Sequence, residues 1–82
     1  MKDLKIICCG ASQQWMGSET LRWPLRPGVR VAEVLDELAK QYPDFAAARA
    51  VTAAASGDSL LKGSDAAEPL DELALIPPVS GG

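Results

Sequence analysis

The strongest periodic signal runs through VRVAEVLDELAKQYP, residues 29–43, where Val31, Val34, Leu35, Leu38, Ala39 and Tyr42 recur at i, i+3, i+4, i+7, i+8 and i+11. That spacing draws one apolar stripe along an α-helix and turns Glu33, Asp36, Glu37, Lys40 and Gln41 to water. Pro43 is expected to stop the helix, because proline removes a donor and clashes with the preceding turn. Asp36 and Lys40, four apart, can pair on its outer face.

Elsewhere the pattern is that of strands. LKIICCGA, residues 4–11, is a short apolar run closed by Gly10 and reads as a buried first strand. SQQWMGSE is polar and reads as a turn into a second strand at Thr20, Leu21, Arg22 and Trp23, ended by Pro24, so the two form a hairpin. FAAARAVTAAASGD mixes helix-favouring alanines with Val51 and Thr52, and predicts a helical spur through Ala46–Ala50 that becomes a strand near Val51. Ser59-Leu60-Leu61-Lys62 lies between turn signals as another short strand. The last strand is ELALIP, with Leu73 and Leu75 on one face and Ala74 and Ile76 on the other, and its apolarity places it centrally. The order β-β-α-β-β-β predicts an α+β roll, a mixed sheet with one main helix crossing one face.

Composition narrows the chemistry. The 82 residues suffice for one domain, and 48% apolar with 23% charged residues is the balance of a folded, water-soluble chain. The apolar runs are too short to span a bilayer and the N-terminus lacks a signal-peptide pattern, so a cytoplasmic location without membrane association is expected. A net charge of −3 disfavours nucleic acid as a ligand. No histidine is present, and the adjacent Cys8 and Cys9 lack the spacing of a structural zinc site, which disfavours metal and His-activated catalysis. The cysteines read as small strand residues in a reducing compartment.

The chain closes on IPPVSGG. Pro77 and Pro78 cannot donate to a ladder, so they end the strand and send the chain outward. Gly81 and Gly82 have no side chains, and an extended terminus of this kind can enter a channel too narrow for a Cβ. A free carboxylate is a poor acyl donor, whereas its mixed anhydride with AMP has a good leaving group. The plain alternative is a frayed end, but at about 7% glycine usage a closing Gly-Gly arises by chance in roughly 0.5% of chains.

IPPVSGG resembles the C-terminal signature of the ubiquitin-like sulfur carriers, specifically the branch of the molybdopterin synthase small subunit; the thiamine carriers share the glycines but usually not Pro-Pro-Val-Ser. The likeness is specific over DELALIPPVSGG and a matter of pattern elsewhere. It implies a β-grasp (ubiquitin-like) domain over residues 1–78 and a flexible Gly-Gly arm over 79–82. It also implies that Gly82 is adenylylated by a ubiquitin-activating-like adenylyltransferase using ATP, and converted to a covalent thiocarboxylate by a sulfur donor system. The sulfur would then pass to cyclic pyranopterin monophosphate in the large subunit of molybdopterin synthase, within a heterotetramer. No permanently bound cofactor and no metal are implied, and the chain would not be an enzyme on its own. Gly81 would give clearance, Pro77 and Pro78 would set the exit direction, and Val79 and Ser80 would line the partner's tunnel. Leu60 and Ile76 match positions of apolar partner contact, and are equally readable as core residues.

The sequence also departs from the family. Aromatic residues common in the first strand, and the Arg-Glu pair after it, are replaced by Cys8, Cys9, Gln13 and Gln14; Gly-Asp-Glu before the last strand is Leu70-Asp71-Glu72; and an Asn common in the third strand region is missing from VTAAASGD. These changes fall on contact surfaces rather than on the terminus. They keep open a carrier for another pathway, thiamine or cysteine synthesis, and a protein modifier joined through Gly82. A β-grasp interaction module with an inert tail is the alternative of a different class.

Overall fold

In the computed structural model, residues 2–78 are described. Five strands, β1 (Lys2–Cys8), β2 (Thr20–Leu25), β3 (Ala53–Ser56), β4 (Ser59–Leu60) and β5 (Glu72–Ile76), form one sheet in the order β2-β1-β5-β3-β4. β1 and β5 are parallel and the other neighbours antiparallel, so the sheet is mixed and the last strand is central, as its apolarity predicts.

Helix α2 (Val31–Gln41) is the predicted amphipathic helix: Val31, Val34 and Leu38 are buried, and Leu35, Ala39 and Tyr42 pack at the margin of the core. Glu33 accepts a hydrogen bond from the Arg30 N–H at 2.9 Å, satisfying one donor at the helix start. The rest of the core comes from alternate strand positions, Leu4, Ile6 and Cys8 on β1, Leu73 and Leu75 on β5, Leu25 and Ala54. The residues between 60 and 72 form no strand and are tied to the start of α2. There the Val31, Ala32 and Ala67 N–H groups donate to Asp65, Gly63 and Val29 carbonyls at 2.9–3.0 Å.

Four local expectations are corrected. The polar SQQWM is a short helix, α1 (Ser12–Met16), rather than a turn: its Met16 and Ser12 are buried and Trp15 stacks at a tilt on Phe45, 6.1 Å between centroids. Pro43 ends α2 but also opens a further helix, α3 (Pro43–Ala48), at the first-turn position where a missing N–H costs nothing. The alanine-rich spur is α3 followed by a 3₁₀ turn (Arg49–Val51), and the strand starts at Ala53 rather than Val51. Asp36 pairs with Arg49 at 2.9 Å, and not with Lys40. The acidic outer face of α2 is further neutralised by Arg26, 2.6 Å from Glu37.

Candidate functional site

The two faces of the sheet follow from strand alternation and register. With Leu73, Leu75, Ile6, Cys8 and Ala54 turned to the helices, the opposite face carries a continuous row Thr20, Ile7, Ala74, Ala55, Leu60, one residue per strand. A second row joins Ala53 to Ile76. Toward the start of β1 the same face carries Arg22, Lys5 and Glu72 in register. Among the described residues no helix covers this face, so three small alanines at its centre make a flat apolar surface rather than a pocket. Among the described residues no cavity forms.

Leu60 is 73% and Ile76 39% exposed, and with Val51 at 62% they are the large apolar side chains that remain exposed among the described residues. The core reading of Leu60 and Ile76 is therefore overturned by the structure. Both stand on the open face, Leu60 on β4 and Ile76 on β5, with β3 between them. Val51 lies two residues before Ala53, the partner of Ile76, at the same end of the sheet. Exposed apolar side chains grouped around one end of a sheet are the usual mark of a protein contact surface.

The tail leaves from that end. Cys8 pairs with Leu75 and Ala53 with Ile76, after which Pro77, half-buried, and Pro78, exposed, carry the chain out of the ladder. A proline nitrogen has no hydrogen to give, and successive residues point to opposite neighbours, so Pro77 and Pro78 together withhold donors from both sides of the ladder. The exit is therefore flanked by β1 and β3, beside the apolar surface. Val79, Ser80, Gly81 and Gly82, the tail residues named from sequence, lie outside the described residues.

Sequence reasoning missed Ile7, Val51 and the three alanines as parts of this surface. Ile7 looked like one more core residue in an apolar run, and the alanines carry too little side chain to signal a face. Neither cysteine is in a disulfide. Cys8 is buried in the core and Cys9 is half-buried at the turn after β1; burial, and secondarily the neighbouring Cys9 thiol, push the Cys8 thiol up from its ordinary value.

The ThiS family model matches residues 10–82. A molybdopterin synthase sulfur carrier subunit from Arabidopsis thaliana is 28% identical over 80 residues, spanning 98% of this chain and 83% of that protein. The crystal structure of SAMP1 from Haloferax volcanii superposes with a TM-score of 0.77 at 26% identity, covering 98% of this chain and 99% of that one. A putative molybdopterin converting factor, subunit 1, from Pyrococcus furiosus gives a TM-score of 0.80 at 18% identity, over 96% of this chain and all 100% of that one. This last likeness speaks to the fold, which these neighbours share as a ubiquitin-like β-grasp.

Proposed function

The chain belongs to the ThiS family, and from that premise we propose that it is a sulfur carrier loaded at Gly82, acting as the small subunit of a molybdopterin synthase. The observation that carries the reading is the placement of the exit: a tail of sequence PPVSGG begins at the end of the central strand, beside an uncovered apolar surface bearing Ile76 and Leu60. A partner seated on that surface is well placed to receive the tail.

In this reading a Gly82 carboxylate oxygen attacks the α-phosphorus of ATP on the activating enzyme, pyrophosphate leaves, and the acyl adenylate forms. Sulfur from the donor system then displaces AMP, which departs with one of the original carboxylate oxygens, and the terminus becomes a thiocarboxylate. The carrier itself contributes position rather than acid–base chemistry. Gly81 gives clearance, Val79 and Ser80 meet the tunnel walls, and Pro77 and Pro78 direct the exit. Tethering converts a diffusing sulfur nucleophile into a delivered one, which is a gain in effective concentration. The acceptor is cyclic pyranopterin monophosphate in the large subunit, and ATP belongs to the activating enzyme, so no cofactor resides on the chain. The cytoplasm is where such partners would meet it.

A second reading has a specific observation in its favour, the likeness to SAMP1, since a neighbouring H. volcanii structure is described as small archaeal modifier protein 1. There the same adenylate would be passed on to a lysine amine of a target protein. The deciding experiment is the intact mass of the untagged chain after incubation with ATP, an activating enzyme and a sulfur donor. A gain of one oxygen-for-sulfur exchange, lost when Gly81 and Gly82 are deleted, is expected. Transfer of that sulfur to the pterin, against isopeptide formation, then separates carrier from modifier. Full activity of the truncated chain in every binding and biological assay would leave only the inert-tail module.

A further inference from the structure

β1 and β5 run parallel as neighbours, so the turn after β1 and the root of the tail leave the sheet side by side. That turn, Cys9-Gly10-Ala11, is held by several hydrogen bonds. Ser12, the buried polar side chain among the described residues, donates its hydroxyl to the Cys9 carbonyl at 2.6 Å, and its own backbone N–H donates to the same oxygen at 3.1 Å. Gln13 N–H donates to the Gly10 carbonyl at 3.1 Å, and Cys8 N–H to Glu19 at 2.8 Å. Two donors on one carbonyl fix the peptide plane that leads into Gly10.

Gly10 has φ +54°, in the left-handed region that favours glycine. A Cβ built on it would meet one atom within 4 Å beyond its chain neighbours, Pro77 Cγ at 3.9 Å. The ring of the first tail residue therefore stands at ordinary van der Waals distance from the side-chain position that Gly10 leaves empty. Pro77 in turn has its own φ locked by that ring, so a fixed corner and a stiff residue meet at the point where the tail's direction is set.

We infer that Gly10 is a positioning residue for the tail: its empty side-chain position is the seat that the Pro77 ring faces as the tail's direction is set, and Ser12 holds that seat in place. The functional consequence rests on the carrier reading above. A glycine kept solely for its left-handed backbone predicts something different. Asparagine tolerates that backbone better than alanine does, yet its amide extends beyond a Cβ that already stands at contact distance from the Pro77 ring, and so crowds that ring where a methyl does not. A backbone-only role therefore ranks Asn above Ala in every measurement. A seat gives opposite ranks, with melting temperature lowered more by Gly10→Ala and kcat for adenylylation lowered more by Gly10→Asn.

The test is steady-state adenylylation of the full chain by its activating enzyme, with melting temperatures of the same samples. For Gly10→Asn we expect kcat to fall about ten- to a hundredfold, the scale of a misplaced reacting group, with KM nearly unchanged because the open face still docks. Gly10→Asn/Pro77→Ala should be no slower than Pro77→Ala alone, since the ring that the amide crowds is gone. Equal ranks of Asn and Ala in both readouts, or fully additive losses, overturn the inference. The seat also has a readout independent of loading, a nuclear Overhauser contact between the Gly10 α-protons and the Pro77 ring in the full chain. Its absence overturns the seat while leaving the carrier reading intact. A wild-type chain that is never loaded overturns the carrier reading, and with it the purpose of the seat.

Discussion

The sheet has two faces built by one alternation and used in opposite ways. The helix-covered face is lined by Leu4, Ile6, Leu73 and Leu75, each fully buried, while the open face carries Ile7, Ala53, Ala55, Ala74, Ile76 and Leu60 at the intervening positions. Burial of a large side chain stabilises by about 1.5–3 kcal/mol, so the first face supplies fold stability. On the second face Leu60 and Ile76 contribute little to stability while exposed and gain only when a partner covers them. Large apolar side chains are thus divided by role between the two faces.

The largest effect that can test this division is on the covered face. Leu75→Ala should cost about 2–5 kcal/mol in urea unfolding, because it removes fully buried volume between Cys8 and Ala54 that the sheet cannot refill. Leu60→Ala should stay within about 0.5 kcal/mol of the parent in the same assay. It should instead weaken binding of the partner that takes up the tail by about 1–2 kcal/mol, measured by calorimetry. Destabilisation by Leu60→Ala without a loss of binding would erase the distinction between the faces.

An intermediate effect is expected where the open loop meets the covered face. A Cβ on Gly63 would lie 3.1 Å from Ala32 Cβ, and the two residues are tied by the Ala32 N–H to Gly63 carbonyl bond of 3.0 Å, so neither can step aside freely. Gly63→Ala should therefore lower stability by about 1 kcal/mol through overpacking. The same substitution would stabilise slightly if the loop relaxed, by restricting the unfolded chain, so the sign of the shift in melting temperature reads out how firmly the loop is held.

The difference between the faces also explains what was legible in the sequence. The stripe of α2, the core alternation of β5 and its central place could be read because burial selects large side chains at a fixed period. The tail was legible because Pro-Pro and Gly-Gly act through backbone geometry that is local. The helix α1 was missed because SQQWM is polar for the most part and depends on Trp15 meeting Phe45, a contact between residues thirty apart. The docking surface was half legible: Leu60 and Ile76 were named as possible contacts, but which of them faced water depended on pairing register. Gly10 against Pro77 was illegible, because nothing in either segment shows that parallel pairing of β1 and β5 brings them together.

The smallest effect concerns Cys8, which closes the core side of β1 beside the tail exit. Burial first, and the adjacent Cys9 thiol second, raise its pKa above the ordinary 9.0. At neutral pH and below the thiol is protonated in both folded and unfolded chains, so it contributes no pH dependence. Above that, the unfolded chain loses the proton first; it then binds fewer protons than the folded chain, and stability falls as pH rises. The difference in melting temperature between the parent and Cys8→Ala should thus be flat through neutrality and shift against the parent in the alkaline range. A parallel decline of both proteins would mean that the Cys8 thiol meets water in the folded state, and that the covered face is open at its tail end.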